Sequence, residues 1–460
     1  MPSRSPRRAL AVLAVGAAAV LALPGTAVAA VGTTDPTRAG AGWLVTQLVD
    51  GNHIEVAIDL NGDGKITDDE RFPDYGLTAD TVLALAAVQV GGDASGAATD
   101  YLETNIQAYV GAADGVGDPN GEYYAGALAK ALLVAAVTGR DPRSFGGVDL
   151  IARLLSTEKP SGRFSDISQY GDFSNNIGQS LAIIALQRVD PGLLTPSASE
   201  YLAGRQCLDG GPREGNVPIS ADQNPCAADA VSIDTTSFGF QAFVSVDQAL
   251  PAARARGFLV RSQRPDGGFA DQGVTNANST GLAAQALSFG DPAAPAAAEA
   301  KQWLLDRQLG CSAPPEQQGA IAFTDGPDGT PLFDDRAVRA TAQAVPGLSG
   351  SLLSTVSAGG SVADAPRLDC PAPTTPAPTS TATPPPTSTA TSTATSTATS
   401  TPTVTGTATP PPTASATTTG VPGLPVTGSP IGGMLGVGGA GLALGAVLLI
   451  AARRRDGAHR

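Results

Sequence analysis

One helical phrase recurs along residues 38–370, and this repeat constrains the fold more than any other feature of the chain. Each copy carries a large apolar residue followed by leucine or isoleucine, often a glutamine, then a glycine-rich loop and an alanine- and leucine-rich stretch. A unit of this kind cannot bury its apolar face alone, so neighbouring units must stack at their spacing of about 45 to 60 residues. The six copies are marked by Trp43, Tyr101, Leu150, Tyr201, Phe258 and Trp303.

The second helix of each unit is apolar nearly all round, as in the segments TADTVLALAAVQV and STGLAAQALSFG. A helix that is apolar on every side must be buried, whereas the first helices are more amphipathic. We therefore predict an all-α (α/α)6 toroid, in which an inner ring of second helices lies inside an outer ring of first helices. The inner helices are expected to begin near Thr78, Glu122, Asn175, Asp234, Asn278 and Asp335.

The fifth unit carries a more specific likeness. Residues 256–287, RGFLVRSQRPDGGFADQGVTNANSTGLAAQAL, resemble the repeat of the squalene-cyclase and prenyltransferase β-subunit superfamily. In that superfamily the toroid also serves cobalamin carriers and complement thioester domains. The resemblance extends weakly over the other units. It implies the toroid fold and no single activity, because one fold hosts many functions.

The catalytic signatures of that superfamily are incomplete in this chain. The D-x-D-D motif of class II terpene cyclases matches the segment 231–236, where Asp234 remains but Ile233 stands at the position of the proton donor. No histidine lies among the second helices to complete a zinc site. The segment 310–314 departs from the thioester run after Cys311. Acidic residues are numerous, and no spacing singles out a carboxylate pair of the kind that glycan-cleaving enzymes use.

These observations favour a calcium-stabilised toroid that binds or adheres to an unknown extracellular ligand or polymer without intrinsic catalysis. A surface enzyme on glycans or isoprenoids is one alternative. A small-molecule binder resembling the cobalamin carriers is another, although the chain lacks their second domain. A protease-resistant spacer also stays open.

Polar residues cluster where the inner helices are expected to start, among them Asn176, Ser279 and Thr280. One interpretation is N-capping, in which a side-chain oxygen accepts a free backbone N–H. The other is a ligand mouth, because helix starts gathered at one end of a toroid would surround a polar-rimmed pocket. The residues predicted for this mouth are Asp80, Asn175, Asp234, Asn278 and Asp335.

Residues 59–70, DLNGDGKITDDE, fit the calcium loop of EF-hand proteins. The predicted ligands are Asp59, Asn61, Asp63, the Lys65 carbonyl, Thr67 and Glu70. Gly64 permits the sharp turn that the loop needs, and Ile66 is expected to hold the loop to the core. The segment IEVAI before the loop predicts a strand, and Pro73 limits any helix after it. We expect one structural calcium ion here, the alternative being an acidic turn without metal.

The beginning of the chain predicts export. Residues 1–30 place arginines ahead of an apolar run that ends in small residues, which is the order of a signal peptide. The alternative is a membrane helix that the mature protein keeps, but the apolar run is short for a span.

The other end, residues 424–460, predicts attachment to the cell wall. Leu424, Pro425, Thr427 and Gly428 belong to a pentapeptide that precedes an apolar stretch and three arginines. This arrangement resembles the LPxTG sorting signal of Gram-positive surface proteins. The resemblance implies transient retention in the membrane, cleavage after Thr427 by a sortase and covalent transfer to peptidoglycan. A plain tail-anchored membrane protein is the alternative.

Between fold and anchor, residues 371–423 are almost wholly threonine, serine, proline and alanine, which predicts an extended stalk. Removal of both end segments leaves 21 basic and 41 acidic residues, a net charge of about −20. A surface this acidic argues against nucleic acid as a partner.

The four cysteines are expected to be paired, because disulfides persist in exported proteins. Three connectivities are possible. We favour Cys207 with Cys226 and Cys311 with Cys370, since each pair closes a glycine- and proline-rich stretch within one unit.

Overall fold

The computed structural model describes residues 32–111, 122–168, 171–271, 273–291 and 294–371. Thirteen α-helices lie within these residues. Six belong to an inner set: α2 (Tyr75–Val88), α5 (Ala125–Thr138), α7 (Asn176–Val189), α9 (Ile233–Ser245), α11 (Ala277–Leu287) and α13 (Ala337–Ser349). Six belong to an outer set: α1 (Pro36–Val45), α3 (Gly92–Thr104), α6 (Leu150–Ser156), α8 (Pro196–Ala203), α10 (Ala249–Ser262) and α12 (Pro295–Leu305). The short helix α4 (Ile106–Val110) was not predicted.

The inner helices form a closed ring. They contact one another in the order α2, α5, α7, α9, α11 and α13, and α13 contacts α2 again. Outer helices pack across neighbouring inner ones, for example α3 on α2 and α5, and α12 on α11 and α13. The predicted toroid is confirmed. Because the ring has six members, α2 and α9 lie on opposite sides of its axis.

Alanine and glycine let the inner helices approach closely. The segment AGALAKALLVAAVT forms α5 and is buried along almost its whole length, and alanine has the highest helix propensity. At the contact between α11 and α13, a Cβ added to Gly347 would lie 2.3 Å from the Gly281 carbonyl oxygen. These two helices therefore touch through their backbones, and any side chain at Gly347 would push them apart.

Two repeated hydrogen bonds fasten the loops between outer and inner helices. In four units a threonine in the first turns of the inner helix accepts a loop N–H, the threonines being Thr78, Thr236, Thr280 and Thr341. A glutamine after the outer helix donates to a glycine carbonyl of its own loop and to a carbonyl in the first turn of the next outer helix, as Gln206, Gln263 and Gln308 do. The glutamine of the repeat is thus a clamp between consecutive units.

Four short strands form two antiparallel pairs among the described residues. β1 (Glu55–Ala57) pairs antiparallel with β2 (Arg71–Pro73), in the register Glu55 to Pro73 and Ala57 to Arg71. β3 (Ala270–Asp271) pairs in the same sense with β4 (Val274–Thr275). The predicted strand before the calcium-type loop is confirmed, and the loop is the tip of a small hairpin inserted between α1 and α2.

Both favoured disulfides are present. Cys207 is bonded to Cys226, with their Cα atoms 4.8 Å apart, and Cys311 is bonded to Cys370, with their Cα atoms 5.3 Å apart. The second bond ties the end of the toroid domain to the loop after α12, and the Thr33 N–H, near the beginning of the domain, donates to the Arg367 carbonyl at 2.8 Å.

Three predicted segments lie outside the described residues: the signal peptide 1–30, all but the first residue of the stalk 371–423, and the sorting signal 424–460 with Leu424, Pro425, Thr427 and Gly428. Among the residues that the structure does describe, no helix is long and apolar enough to cross a membrane.

Candidate functional site

One end of the inner ring is closed by the chain itself. Residues 350–358, which we call the strap, follow α13 directly and cross the end where the inner helices finish. The Leu353 N–H donates to Oε1 of Gln241 on α9 at 2.9 Å, and the Ala358 N–H donates to the Val137 carbonyl of α5 at 3.0 Å. The strap therefore covers the end of the ring where the inner helices finish.

A polar stripe follows the seam between α9 and α11. Asp234, Ser237 and Gln241 are spaced by three and four residues, so they lie on one side of α9. Gln241 shows that this side faces the axis, because it bonds to the strap and donates to Gln285 of α11 at 3.0 Å. Asn278 lies seven residues before Gln285 and therefore shares its side of α11.

Asp234 is the acid of this stripe, and its pKa is shifted. Only 9% of the residue is exposed, and within the described part of the chain its Oδ1 has no hydrogen-bond partner. Burial raises the pKa of Asp234 to about 6, against the opposing effect of a hydrogen bond from Ser279. The carboxyl group can therefore hold or release a proton near neutral pH.

A second polar seam lies across the axis, between α2 and α5. The Lys130 ammonium of α5 contacts the Asp80 carboxylate of α2 at 2.7 Å, and the two side chains are 7% and 13% exposed. Lys130 is 6% exposed and also donates to the Gly76 carbonyl of α2, so its side chain lies in the seam between α5 and α2. Oδ2 of Asp80 is buried without a partner among the described residues.

The start of α5 holds a third group of acids. The Tyr124 hydroxyl donates to Oε2 of Glu122 at 2.5 Å, and Oε1 of Glu122 is buried with no partner in the described structure. Burial, followed by the hydrogen bond to Glu122, raises the pKa of Tyr124. Asp166 accepts the Ala125 N–H at 2.8 Å, and burial raises the pKa of Asp166 to about 6. The sequence did not single out this group, because its members come from separate loops.

The predicted mouth residues divide into three kinds. Asn175 is an N-cap, because its Oδ1 accepts the N–H groups of Ile177 and Gly178. Asp80, Asp234 and Asn278 are not caps. They lie within their helices and keep buried oxygens that lack partners in the described structure. Asp335 is exposed and precedes α13, whose N-cap position is Arg336.

Other residues therefore do the capping that the sequence assigned to the acids. Asp74, Ser232 and Asn276 accept backbone N–H groups at the starts of α2, α9 and α11. Each lies two to six residues before the predicted residue, since the helices begin earlier than the polar clusters indicate. Asp80, Asp234 and Asn278 are left to face the interior.

The calcium-type loop is closed by its own side chains. Asp59 accepts the N–H groups of Gly62 and Gly64 at 2.6 and 2.8 Å, and the Gly64 bond is the main cause that lowers the pKa of Asp59. Asn61 accepts from Asp63, and Asp63 accepts from the Lys65 N–H. Glu70 accepts from Leu60 and from the backbone and hydroxyl of Thr67. The donor set consists of oxygens, as calcium requires.

Two observations do not support this loop as a metal site. Ile66 is 40% exposed, so the expectation that it holds the loop to the core is wrong. Among the described residues, one group of histidine, cysteine and acidic side chains has its ligand atoms within 4.8 Å of one another, and it consists of Cys207, Asp209 and Cys226 rather than the loop acids. Its cysteines are bonded to each other. Calcium binding at residues 59–70 stays a prediction.

A cavity of about 520 Å³ lies beside the strap, at the closed end of the ring. Arg188, Ser245, Ser288, Phe289 and Leu352 are among its lining residues. Arg188 is the one ionisable side chain of that lining, so the cavity offers no acid–base pair. We place the candidate site on the two seams, where Asp234 and Asp80 keep buried carboxylate oxygens that lack partners in the described structure.

No family model matches the sequence, and no curated protein does. Solved structures do resemble it. A type II terpene cyclase from Scytonema in complex with its product merosterolic acid A has 16% identity and a TM-score of 0.49, over 69% of this chain and 96% of that one. The cyclase in complex with its substrate geranylgeranyl dihydroxybenzoate has 15% identity and a TM-score of 0.49, over 70% of this chain and 97% of that one. An α-amylase from Clostridium perfringens has 12% identity and a TM-score of 0.48, over 68% of this chain and 97% of that one.

These comparisons correct one expectation. The non-catalytic binding or adhesion module favoured by the sequence is contradicted, because the similar structures are enzymes, among them terpene cyclases with substrate and product bound. At 12 to 16% identity the likeness concerns the course of the chain, and no catalytic residue is transferred from those enzymes to this one.

Proposed function

We propose that the protein is an extracellular, wall-anchored enzyme whose toroid cleaves a glycan by acid–base chemistry, with Asp234 as the general acid. The observation that carries this proposal is the Asp234 carboxyl group. It faces the ring axis, it is almost fully buried, and one of its oxygens has no partner in the described structure.

Burial of such a group is costly. An acid in an apolar interior without full hydrogen bonding loses hydration that nothing replaces. The toroid repeats this feature in Asp80, Glu122 and Asn278, all of which keep buried oxygens without partners in the described structure. Buried oxygens that no group of the protein satisfies are typical of active sites, where the substrate can supply the missing hydrogen bonds.

The pKa of Asp234 favours a glycosidic oxygen as the proton acceptor. A carboxyl group with a pKa of about 6 is protonated in part at neutral pH, which is the state that a general acid for glycoside cleavage needs. Alkenes are much weaker bases than acetal oxygens. The position that matches the alkene-protonating aspartic acid of terpene cyclases is Ile233, whose side chain has no proton to give.

The opposite seam supplies the second group that this chemistry requires. In glycoside hydrolysis one carboxylic acid protonates the leaving oxygen while a second carboxylate activates water or attacks the sugar. Asp80 lies on α2, across the axis from α9, and contacts the ammonium of Lys130. We assign the second role to Asp80, with Lys130 positioning it.

The proposal includes the location and the calcium. The signal-like residues 1–30, the stalk and the pentapeptide before the apolar C-terminal stretch support export, sortase cleavage after Thr427 and linkage to peptidoglycan. The oxygen donors of Asp59, Asn61, Asp63, Lys65, Thr67 and Glu70 support one structural calcium in the β1–β2 hairpin. When bound, the ion would neutralise part of the loop's negative charge.

Turnover by the exported chain, with and without Asp234, tests the function. The substrates are linear oligosaccharides of α-1,4-glucose, β-1,4-glucose, β-1,4-N-acetylglucosamine and α-1,6-mannose, together with geranylgeranyl diphosphate. Asp234→Asn should lower kcat on the glycan that is cleaved by about 10²- to 10⁴-fold. The exposed Asp229→Asn is the matched control and should keep full activity.

Three outcomes would contradict the proposal. No glycan is cleaved, or Asp234→Asn cleaves at the wild-type rate, or the isoprenoid is cyclised instead. The circular dichroism melting curve of each variant shows whether a loss of turnover reflects loss of the fold.

A further inference from the structure

The cavity of about 520 Å³ beside the strap has the size of a small-molecule site. It lies between the last turns of α7 and α9, the residues that follow α11, and the strap. Phe289, Gly290 and Thr355 of its lining are exposed, so the cavity is open to solvent. Neither Asp234 nor Asp80 is among its lining residues, and the cavity is therefore separate from the two seams.

The Arg188 guanidinium borders this cavity without an acidic partner. Its Nη1 donates to the Leu353 carbonyl of the strap at 3.0 Å, which fixes the position of the group. Its Nε has no hydrogen-bond partner among the described residues. Burial lowers the pKa of Arg188, and no carboxylate in the described part of the chain opposes that effect. The protein therefore satisfies only part of this cation.

A second cation, Lys301 of α12, lies at the edge of the same cavity. A Cβ added to Gly350, which is part of the lining, would lie 3.2 Å from the Lys301 Nζ. Burial lowers the pKa of Lys301, and within the described structure this side chain forms no ion pair. The chain has 42 acidic and 28 basic residues, so acidic partners are plentiful in its composition. Two half-buried cations without acids at one cavity favour an anion as its occupant.

The hydroxyl groups of the lining indicate that this ligand also carries O–H groups. Ser245 and Thr355 donate their hydroxyl protons to backbone carbonyls of their own segments at 2.7 and 3.1 Å. The Ser351 hydroxyl donates to the Ala87 carbonyl of α2 at 3.3 Å. A hydroxyl group has one proton and two lone pairs, so each of these oxygens is left to accept a hydrogen bond. The hydroxyl groups of a sugar are suitable donors to them.

An aromatic ring lies at the rim of the cavity. Phe289 is 43% exposed, and its ring packs edge-to-face with that of Phe240, with the ring centroids 5.9 Å apart. The face of an aromatic ring carries partial negative charge. The C–H groups of a pyranose ring are partly positive and pack against such a face. An exposed ring beside polar groups therefore suits a sugar better than a compact inorganic anion.

We propose that this cavity binds an acidic sugar of the uronic acid class. The planar guanidinium of Arg188 pairs with the carboxylate, and Lys301 adds a second positive charge. The sugar hydroxyls donate to the serine and threonine oxygens of the lining, and the pyranose ring packs on Phe289. This binding does not depend on the glycan-cleaving function proposed above, because no residue of the seams takes part in it.

Ligand-observed NMR titrations of the full exported chain measure the dissociation constants of sodium D-glucuronate, D-glucose and glucose 6-phosphate. None of the three has a glycosidic bond, so the measurement is independent of turnover. We expect glucuronate to bind at least about tenfold more tightly than glucose, because the neutral sugar lacks the charge-assisted bond. The melting curve of each variant confirms that it is folded.

Two substitutions locate the binding. Lys301→Met removes a cation that has no ion pair in the described structure, and it should weaken glucuronate binding about tenfold. Phe289→Ala should weaken the binding of glucuronate and of glucose by the same factor, because both sugars lose the same ring contact. The exposed Lys159→Met is the matched control and should leave the dissociation constants unchanged.

Three outcomes would overturn the proposal. Glucuronate and glucose bind equally, or Lys301→Met binds glucuronate as wild type does, or glucose 6-phosphate binds more tightly than glucuronate. The last outcome would make the occupant a phosphate rather than a carboxylate. Failure of the chain to cleave any glycan contradicts the function proposed above and leaves this binding result intact.

Discussion

The two ends of the inner ring are built in different ways. At the closed end, the strap satisfies side chains such as Gln241 and Gln285 with backbone groups and seals the core with Leu353. Toward the other end, where the inner helices begin, Asp234, Asn278 and Asp80 keep buried oxygens that have no partners in the described structure. Both ends belong to the same six helices, so the contrast lies in side chains rather than in fold.

The difference teaches where stability and chemistry are placed. Apolar packing and hydrogen bonds to the strap stabilise the closed end. Buried carboxyl groups that lack partners at the other end lower stability, a trade that is common at active sites. Substitutions at the two ends should therefore differ in their effects on the free energy of unfolding and on its pH dependence.

The largest effect on stability is expected at the Lys130 and Asp80 pair. Lys130→Met removes the ammonium and leaves the carboxylate of Asp80 in the interior, which should lower the free energy of unfolding by about 3–5 kcal/mol. Urea denaturation of the exported chain measures this. The double variant Lys130→Met with Asp80→Leu should recover most of the loss. If the single variant is as stable as wild type, the pair is not held away from water and the polar seam is wrongly described.

Substitutions at the closed end should change the free energy of unfolding and leave the acid–base groups unchanged. Leu353→Ala removes buried methyl groups from the strap and should cost about 2–5 kcal/mol. The half-exposed Val362 provides the control, and Val362→Ala should change the free energy of unfolding by less than about 0.5 kcal/mol. A Leu353→Ala protein that keeps full stability would show that the strap is not part of the core.

The pH dependence of the free energy of unfolding should reveal the buried acid Asp234 near the start of α9. Asp234 keeps its proton in the folded state up to a pH of about 6, whereas its ordinary pKa is 3.8. Between these values the folded state binds more protons than the unfolded state, so stability falls as the pH rises, by up to about 3 kcal/mol from this group. Asp166, whose pKa is also raised to about 6, adds to the slope in the same direction.

Urea denaturation from pH 4 to pH 8 checks this sign. Asp234→Asn should flatten the profile between about pH 4 and 6, because the amide cannot titrate. Asp229→Asn, at an exposed position, should leave the profile unchanged. Equal slopes in wild type and Asp234→Asn would show that Asp234 titrates normally.

The smallest effect is expected at the hairpin loop. If the loop binds calcium, saturating calcium should raise the free energy of unfolding by about 1–3 kcal/mol, and chelator should remove the gain. Asp59→Ala should make stability independent of calcium. Asp68→Ala lies in the same loop at a place that is not a predicted ligand, and it should retain the calcium response. A wild-type melting temperature that chelator does not change would contradict the calcium prediction.

Much of the fold followed from local patterns. The apolar second helices, the strand before residue 59 and the two disulfides were predicted from runs of residues within one unit. Helix boundaries were less accurate, because Ser232 and Asn276 cap α9 and α11 ahead of the more prominent Asp234 and Asn278. Capping depends on where a helix starts, and the apolar pattern fixes that to within a turn.

The candidate site was predicted only in part. Asp234, Asn278 and Asp80 were named as mouth residues, and the structure places them on the axial seams. Lys130 was missed because a lysine in an alanine-rich helix carries no sign of its partner 50 residues away. Glu122, Tyr124 and Asp166 were missed as a group for the same reason.

The sequence alone determined the helical repeat, the pairing of cysteines and the acidic composition, because these depend on residues close together in the chain or on totals. Tertiary structure decided that α13 closes on α2, that the strap seals one end and that acids from opposite helices face one axis. Such contacts join residues far apart in the chain, as between Arg339 and Asp74, which are 265 positions apart. Their geometry depends on how the whole ring closes, which no single segment encodes.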